Sequence, residues 1–154
     1  MNEYMLAVLL EQKEQGESFG RWPLHITLVP WFDIPGNLSE AVGALMGTLQ
    51  SSHAFSVTTG SKTSLHGRKV ALIRDSAALR ALHVKLLDFV GEYGRSAEPL
   101  RYVGQEYTPH ITEKVNATVQ PGFAVAVKKI YLIEAPKTNP STRIKRVACV
   151  GELA

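Results

Sequence analysis

Cysteine occurs once in the 154 residues, at Cys149, so no internal disulfide can form. Its setting, Val147-Ala148-Cys149-Val150, reads as a buried structural thiol and fits a reducing compartment, so a cytoplasmic location is expected. Long hydrophobic runs are missing too. The run Met5 to Leu10 is ended by Glu11, and Met1-Asn2-Glu3-Tyr4 has no basic stretch, so neither an export signal nor a membrane span is expected. The chain lacks Gly-x-x-x-x-Gly-Lys-Ser/Thr and Gly-x-Gly-x-x-Gly, which argues against nucleoside triphosphate chemistry. It also lacks His-Glu-x-x-His and Cys-x-x-Cys, and no acidic cluster flanks its histidine motifs, so neither a metal nor another cofactor is expected. A strong excess of one sign of charge is missing: 17 basic against 14 acidic residues give +3. That excess suits an anionic ligand, but no basic run interleaved with aromatics marks a long nucleic-acid groove. The cations near the end, Lys128, Lys129, Lys137, Arg143, Lys145 and Arg146, read as a solvated face.

What remains is an ordinary globular composition. At 45% hydrophobic residues, 1–154 is expected to form one monomeric domain that buries a core without staples. Within it the tripeptide His-Ile-Thr occurs twice, at His25-Ile26-Thr27 and His110-Ile111-Thr112, each in a short apolar segment just after a proline. At the two-residue period of a strand, His25 and Thr27 share one face while Ile26 and Leu28 pack the other way. The second copy likewise pairs His110 with Thr112 opposite Ile111. Two such strands across a cleft would offer two proton carriers and two hydroxyl donors, a set matched to a tetrahedral oxyanion such as phosphate.

Around the motifs, Tyr4–Leu10 reads as a strand and 11–21 as a loop. Asn37 with Glu40 starts a helix through Ser51, its apolar face marked by Leu38, Ala41, Val42, Leu45, Met46 and Leu49. Strands are expected over 54–59 and 69–74, joined by a polar turn around Gly67. A second helix is capped at Asp75 or Ser76 and stopped by Gly91 and Gly94. The second motif strand follows, then strands over 123–133 and 144–150. Motif strand, helix and further strands recur in both halves. The expected fold is therefore α+β, with two pseudo-symmetric lobes of antiparallel sheet, helices outside and the active-site cleft between them.

The paired motifs resemble those of the 2H phosphoesterase superfamily, which includes 2′,5′ RNA ligase-like proteins and cyclic phosphodiesterases and is defined by two His-h-Thr/Ser-h motifs, h being hydrophobic. The first copy, with Leu28, matches fully. The second carries Glu113 where the family has an apolar residue, so that strand is expected to reach an edge or solvent soon after. The resemblance extends more loosely over nearly the whole chain. It implies metal-independent hydrolysis of 2′,3′-cyclic phosphate or 2′,5′-linked ends of RNA or small nucleotides. His25 and His110 would be general base and acid in an order left open, with Thr27 and Thr112 as phosphate donors and a bell-shaped pH profile around neutrality. The alternative is a module that binds RNA or nucleotide ends in the same cleft without turnover.

Two more residues join the expected substrate-binding set. Lys114, two past Thr112, reaches the cleft face if the strand continues. Tyr107, held extended by Pro109, is the preferred aromatic to stack a base, while Trp22, Trp31 and Phe32 read first as packing. Of the other histidines, His53 reads as a capping or surface residue, His66 as part of a turn and His83 as a boundary residue beside the second helix's apolar stripe.

Overall fold

The computed structural model describes residues 1–96, 100, 102–137 and 143–154. Along the chain come β1 (Asn2–Leu9), β2 (Ser18–Phe19), β3 (His25–Phe32), α1 (Leu38–Gln50), β4 (Phe55–Leu65), β5 (Arg68–Ile73), α2 (Ala77–Tyr93), β6 (His110–Thr112), β7 (Ala124–Val127), β8 (Lys129–Pro136) and β9 (Lys145–Glu152). The strands form one antiparallel sheet in the order β2-β9-β8-β1-β3-β6-β5-β4-β7, so the architecture is α+β. The two motif strands, β3 and β6, are neighbours at its centre and form the seam between its halves.

Both helices begin where their caps place them. The Asn37 side chain accepts from the Glu40 N–H at 3.0 Å, and Ser76 Oγ accepts from the Leu79 N–H at 3.1 Å, satisfying donors that a helix start leaves orphaned. Gly91 lies inside α2, and the helix ends only at Gly94. A Cβ on Gly94 would come within 3.0 Å of the Phe32 ring and of the Val90 carbonyl, so glycine there permits close contact between helix end and sheet.

The main core lies between the helices and one sheet face, with Leu6, Val8, Ile26, Leu28, Leu45, Leu49, Leu79 and Leu86 among its buried members. A second cluster on the opposite face contains Ala7, Leu9, Phe19, Tyr131, Ile133 and Val147, with Trp22 and Trp31 packed against it. β1 and β8 are thus covered on both faces, which is why they read as nearly continuous apolar runs.

Two segments depart from the sequence expectation. The polar stretch 60–65, expected as a turn, continues β4 to Leu65, since an antiparallel hairpin keeps its hydrogen bonds while its side chains face water. The run 123–133, expected as one strand, divides at Lys128 into two strands with different partners: β7 pairs with β4 at one edge, and β8 joins β1 and β9 in the other half. Apolar content cannot signal that division, because both pieces are strand.

α1 crosses β9 at Gly151, where an added Cβ would overlap Leu49 Cδ1 and lie 3.0 Å from Met46 Cε. Leu49 is fully buried, so its side chain has little room to give way. Gly151→Ala is expected to cost about 1–3 kcal/mol of stability, read as a lower Tm in thermal unfolding. An unchanged Tm would show that this contact yields freely.

Candidate active site

The seam is short and symmetric. Ile26 pairs with Ile111, and both side chains are fully buried on the helix side. Antiparallel register then sets Thr27 opposite His110 and His25 opposite Thr112, all on the face away from the helices. Directly opposed Cβ atoms lie about 5 Å apart and alternate residues on a strand about 7 Å apart. The four side chains therefore mark the corners of a patch sized for one phosphate group, each imidazole facing the other strand's hydroxyl.

The imidazoles are held alike. His25 Nδ1 lies 2.9 Å from the Pro23 carbonyl oxygen and His110 Nδ1 lies 2.8 Å from that of Thr108, in each case two residues back along the chain. A carbonyl only accepts, so Nδ1 carries the proton in both rings and Nε2 is the nitrogen left with a lone pair able to take one up. The same bond survives in the imidazolium, so either ring serves as base or acid without reorienting.

Their surroundings differ. An aromatic stands three residues before each motif histidine: Trp22 before His25, Tyr107 before His110. Trp22 stacks on His25 with ring centroids 4.4 Å apart and 28° between planes, and Phe19 meets Trp22 edge-on at 5.4 Å. Tyr107 turns the other way and stacks on His83 at 3.8 Å and 7°. Burial pushes the His25 imidazole down to about 4, against the stabilising Pro23 carbonyl and helped by the nearby charges of Lys114 and His110. His25 is therefore neutral at pH 7, and the broken symmetry of the two aromatics distinguishes the two histidines.

β6 stops at Thr112, and Lys114 forms a reverse turn with Ala117, its N–H donating to the Ala117 carbonyl at 2.9 Å. The strand does not continue as the alternation argument for Lys114 required. The exposed ammonium still lies close enough to His25 and Lys145 to oppose their charging. The strand thus ends right after the motif, as Glu113 led one to expect, but Glu113 itself is tucked in. Its side chain is 5% exposed, pairs with Lys62 at 3.1 Å and accepts from the Val119 N–H at 3.1 Å, anchoring that turn. Its carboxylate is held below the usual range: the Lys62 ion pair and the Val119 hydrogen bond outweigh burial, which acts first and in the opposite sense.

Tyr107 is 7% exposed, its hydroxyl donates to the Thr27 carbonyl at 2.8 Å and one ring face is taken by His83. It is a wall of the site, not an open stacking surface, which corrects the expectation drawn from its position. His83 is likewise not at a boundary. It is 1% exposed, its Nδ1 is 2.7 Å from the Leu28 carbonyl, and its Nε2 accepts from the Gly104 N–H at 2.8 Å. Together the pair ties α2 and the 104–107 segment to β3 at two successive carbonyls. The direct β3–β6 pairing is a single residue pair, so this clamp does much to fix the spacing of the motifs. His53 and His66 are both exposed, as expected.

The solvated-face reading fails for Arg143 and Lys145, which are 8% and 5% exposed. Arg143 pairs with Glu3 at 2.5 Å and lies over the Trp31 ring at 4.4 Å; Lys145 donates to the Gly20 carbonyl at 2.7 Å and lies 5.6 Å from the Trp22 centroid. Lys145 thus stands over the tryptophan that covers His25, and Arg143 over Trp31, which meets Trp22 edge-on. Sequence reading missed them because basic residues on a closing strand look alike whether they face water or aromatic rings. The expected buried thiol is there: Cys149 is 4% exposed, and burial pushes it up to about 11.

A cavity of about 210 Å³ opens beside Thr27 and His110, lined also by Met5, Pro30, Tyr102, Tyr107 and Thr108. Beyond the other end of β6 runs a wider groove of about 700 Å³ that includes Lys62, Lys69 and Lys114. Among the described residues no group of three or more His, Cys, Asp or Glu side chains is placed to hold a metal ion, and no helix is long and apolar enough to cross a membrane.

Comparison with solved structures supports this fold. TT0787 of Thermus thermophilus shares 17% identity at a TM-score of 0.63, with 98% of this chain and 97% of that chain covered. E. coli LigT complexed with 3′-AMP shares 16% identity at 0.61, covering 99% and 98%, and LigT complexed with phosphate shares 17% at 0.56, covering 98% and 96%. No curated protein matches the sequence. The family model described as the 2′-5′ RNA ligase superfamily matches residues 8–152, a span that contains both motif strands and the seam between them. The chain belongs to the 2′-5′ RNA ligase superfamily, and its family supports a phosphoesterase or RNA ligase-like activity.

Proposed function

We propose that the protein is a metal-independent phosphoesterase that opens 2′,3′-cyclic phosphates, or cleaves 2′,5′ linkages, at the ends of RNA or small nucleotides. The observation that carries the reading is the seam register, which faces each imidazole with a hydroxyl from the other strand and leaves both Nε2 atoms for the ligand. Thr27 and Thr112 donate to the non-bridging oxygens, and the Lys114 ammonium adds positive charge beside them. Neutral His25 takes a proton from water as the water oxygen bonds to phosphorus. The bond from phosphorus to one ribose oxygen breaks in line, and His110 as imidazolium protonates that oxygen. The product is a ribose monophosphate with a free neighbouring hydroxyl. Proton exchange with solvent resets the pair. The reverse path joins a cyclic phosphate to a hydroxyl, which is how one site serves hydrolase and ligase chemistry.

The test is hydrolysis of a 2′,3′-cyclic mononucleotide and of a short RNA ending in that group, with EDTA present. Turnover that survives EDTA is expected, and the 2′ or 3′ position of the product phosphate identifies the oxygen that leaves. Saturable binding by folded protein without product would favour the non-catalytic module.

The depressed His25 also moves the pH profile from the ordinary histidine range. A general base works deprotonated, so kcat/KM is expected to hold as pH falls through 6.5 and to drop only near about 4, where His25 takes up its proton. The alkaline limb follows loss of the donor proton. An acidic limb centred near 6.5 would show that His25 is not the buried base described here.

A further inference from the structure

Tyr102 combines three properties that neither the fold nor the proposed chemistry uses. It is an exposed aromatic, 48% accessible, it lines the cavity beside His110 and Thr27, and its backbone is left-handed at φ 57°. A bulky side chain in that region is an outlier that surrounding structure must hold in place. Its ring meets His66 edge-on, with centroids 5.1 Å apart and 63° between planes. His66 also has positive φ, but its turn accounts for that: Leu65 and Arg68 pair across a two-residue loop, His66-Gly67, whose φ values of 53° and 74° match a type I′ hairpin. The hairpin tip thus brings an imidazole from one loop against the ring of another.

The cavity that this ring lines has apolar walls, Met5, Pro30 and the buried Tyr107, and shares His110 and Thr27 with the four-residue patch of the seam. A ligand anchored there by its phosphate would extend a flat apolar group toward Tyr102. We propose that Tyr102, steadied by His66, is the platform on which the nucleobase of the substrate stacks, so that the site selects nucleotides over base-free sugar phosphates. This rests on the function proposed above and names the group that confers specificity. Aromatic stacking tolerates every base, so the platform is expected to favour nucleotides without strong preference among them.

The experiment compares 2′,3′-cyclic AMP with methyl riboside 2′,3′-cyclic phosphate, which lacks the base, in wild type, Tyr102→Gly and Tyr102→Phe. Glycine accepts the positive φ, so the ring is removed without straining the loop, and phenylalanine keeps a stacking face. The ratio of kcat/KM between the two substrates is expected to fall roughly 5- to 150-fold in Tyr102→Gly, equivalent to about 1–3 kcal/mol at 1.4 kcal/mol per decade, and to be retained in Tyr102→Phe. Calorimetric affinities for adenosine 3′-monophosphate and ribose 3-phosphate give the same ratio without turnover. Binding discrimination that depends on Tyr102, with no hydrolysis by wild type, would sink the catalytic reading and keep the platform. An unchanged ratio in Tyr102→Gly, by either measure, overturns the platform.

Discussion

His110→Ala is expected to lower kcat/KM for a 2′,3′-cyclic mononucleotide by about 10²–10⁴, the usual contribution of one positioned proton carrier. His25→Ala is expected to do the same, and the two variants part company on a diester with a p-nitrophenyl leaving group. Nitrophenolate departs without a proton, so the acid becomes dispensable there while the base that activates water does not. His110→Ala should thus recover most of its loss on the activated substrate, and His25→Ala should recover little. The opposite pattern would reverse the roles; equal losses on both substrates would show that neither ring acts on the leaving group. The assignment has a structural basis in the aromatics three residues before each histidine. Trp22, pinned by Lys145, covers His25, whereas Tyr107 turns to His83 and leaves its own motif histidine uncovered.

His83→Ala is the substitution outside the proton carriers with the largest expected effect. It removes a fully buried ring, the stacking partner of Tyr107, and the groups that meet the Leu28 carbonyl and Gly104 N–H. A cavity together with lost buried hydrogen bonds amounts to about 2–4 kcal/mol, roughly 5–15 °C in Tm at this chain length. Because the clamp sets the spacing of the motif strands, kcat is expected to fall more than KM rises. His83→Gln, which keeps one donor and one acceptor, should restore part of both.

The same residue makes the wild-type fold acid-sensitive. Burial holds the His83 imidazole below its ordinary value, and Nε2, which accepts from Gly104, cannot do so once protonated. His25 is displaced in the same direction. As pH falls below about 6.5 the unfolded chain binds protons that the folded chain refuses, so stability declines with acidification. Thermal unfolding between pH 7 and pH 5 should show this, with a shallower slope in His83→Gln. A Tm independent of pH over that range would count against the buried, neutral assignment.

The sequence by itself determined the local grammar. The cap signals at Asn37 and at Asp75 or Ser76 placed both helix starts, since a capping side chain and the amide it satisfies lie within four residues, and the structure makes Ser76 the second cap. The two-residue period of β3 and β6 put each motif histidine on the threonine's side and the isoleucine in the core. Those inferences need only neighbours along one strand or helix turn. What tertiary structure decided concerns residues far apart in the chain. Only the sheet order shows that the motif strands are adjacent, with Ile26 opposite Ile111, and that one apolar run divides at Lys128 between separate partners. Only packing shows that Trp22 covers His25 while Tyr107 turns to His83, that Arg143 and Lys145 lie against tryptophans, and that Glu113 is an internal anchor. Periodicity reports which side of its own element a residue faces. Whether that side meets water, a ring or a counter-charge depends on chain that returns to it from a hundred residues away, as Lys145 returns to Gly20.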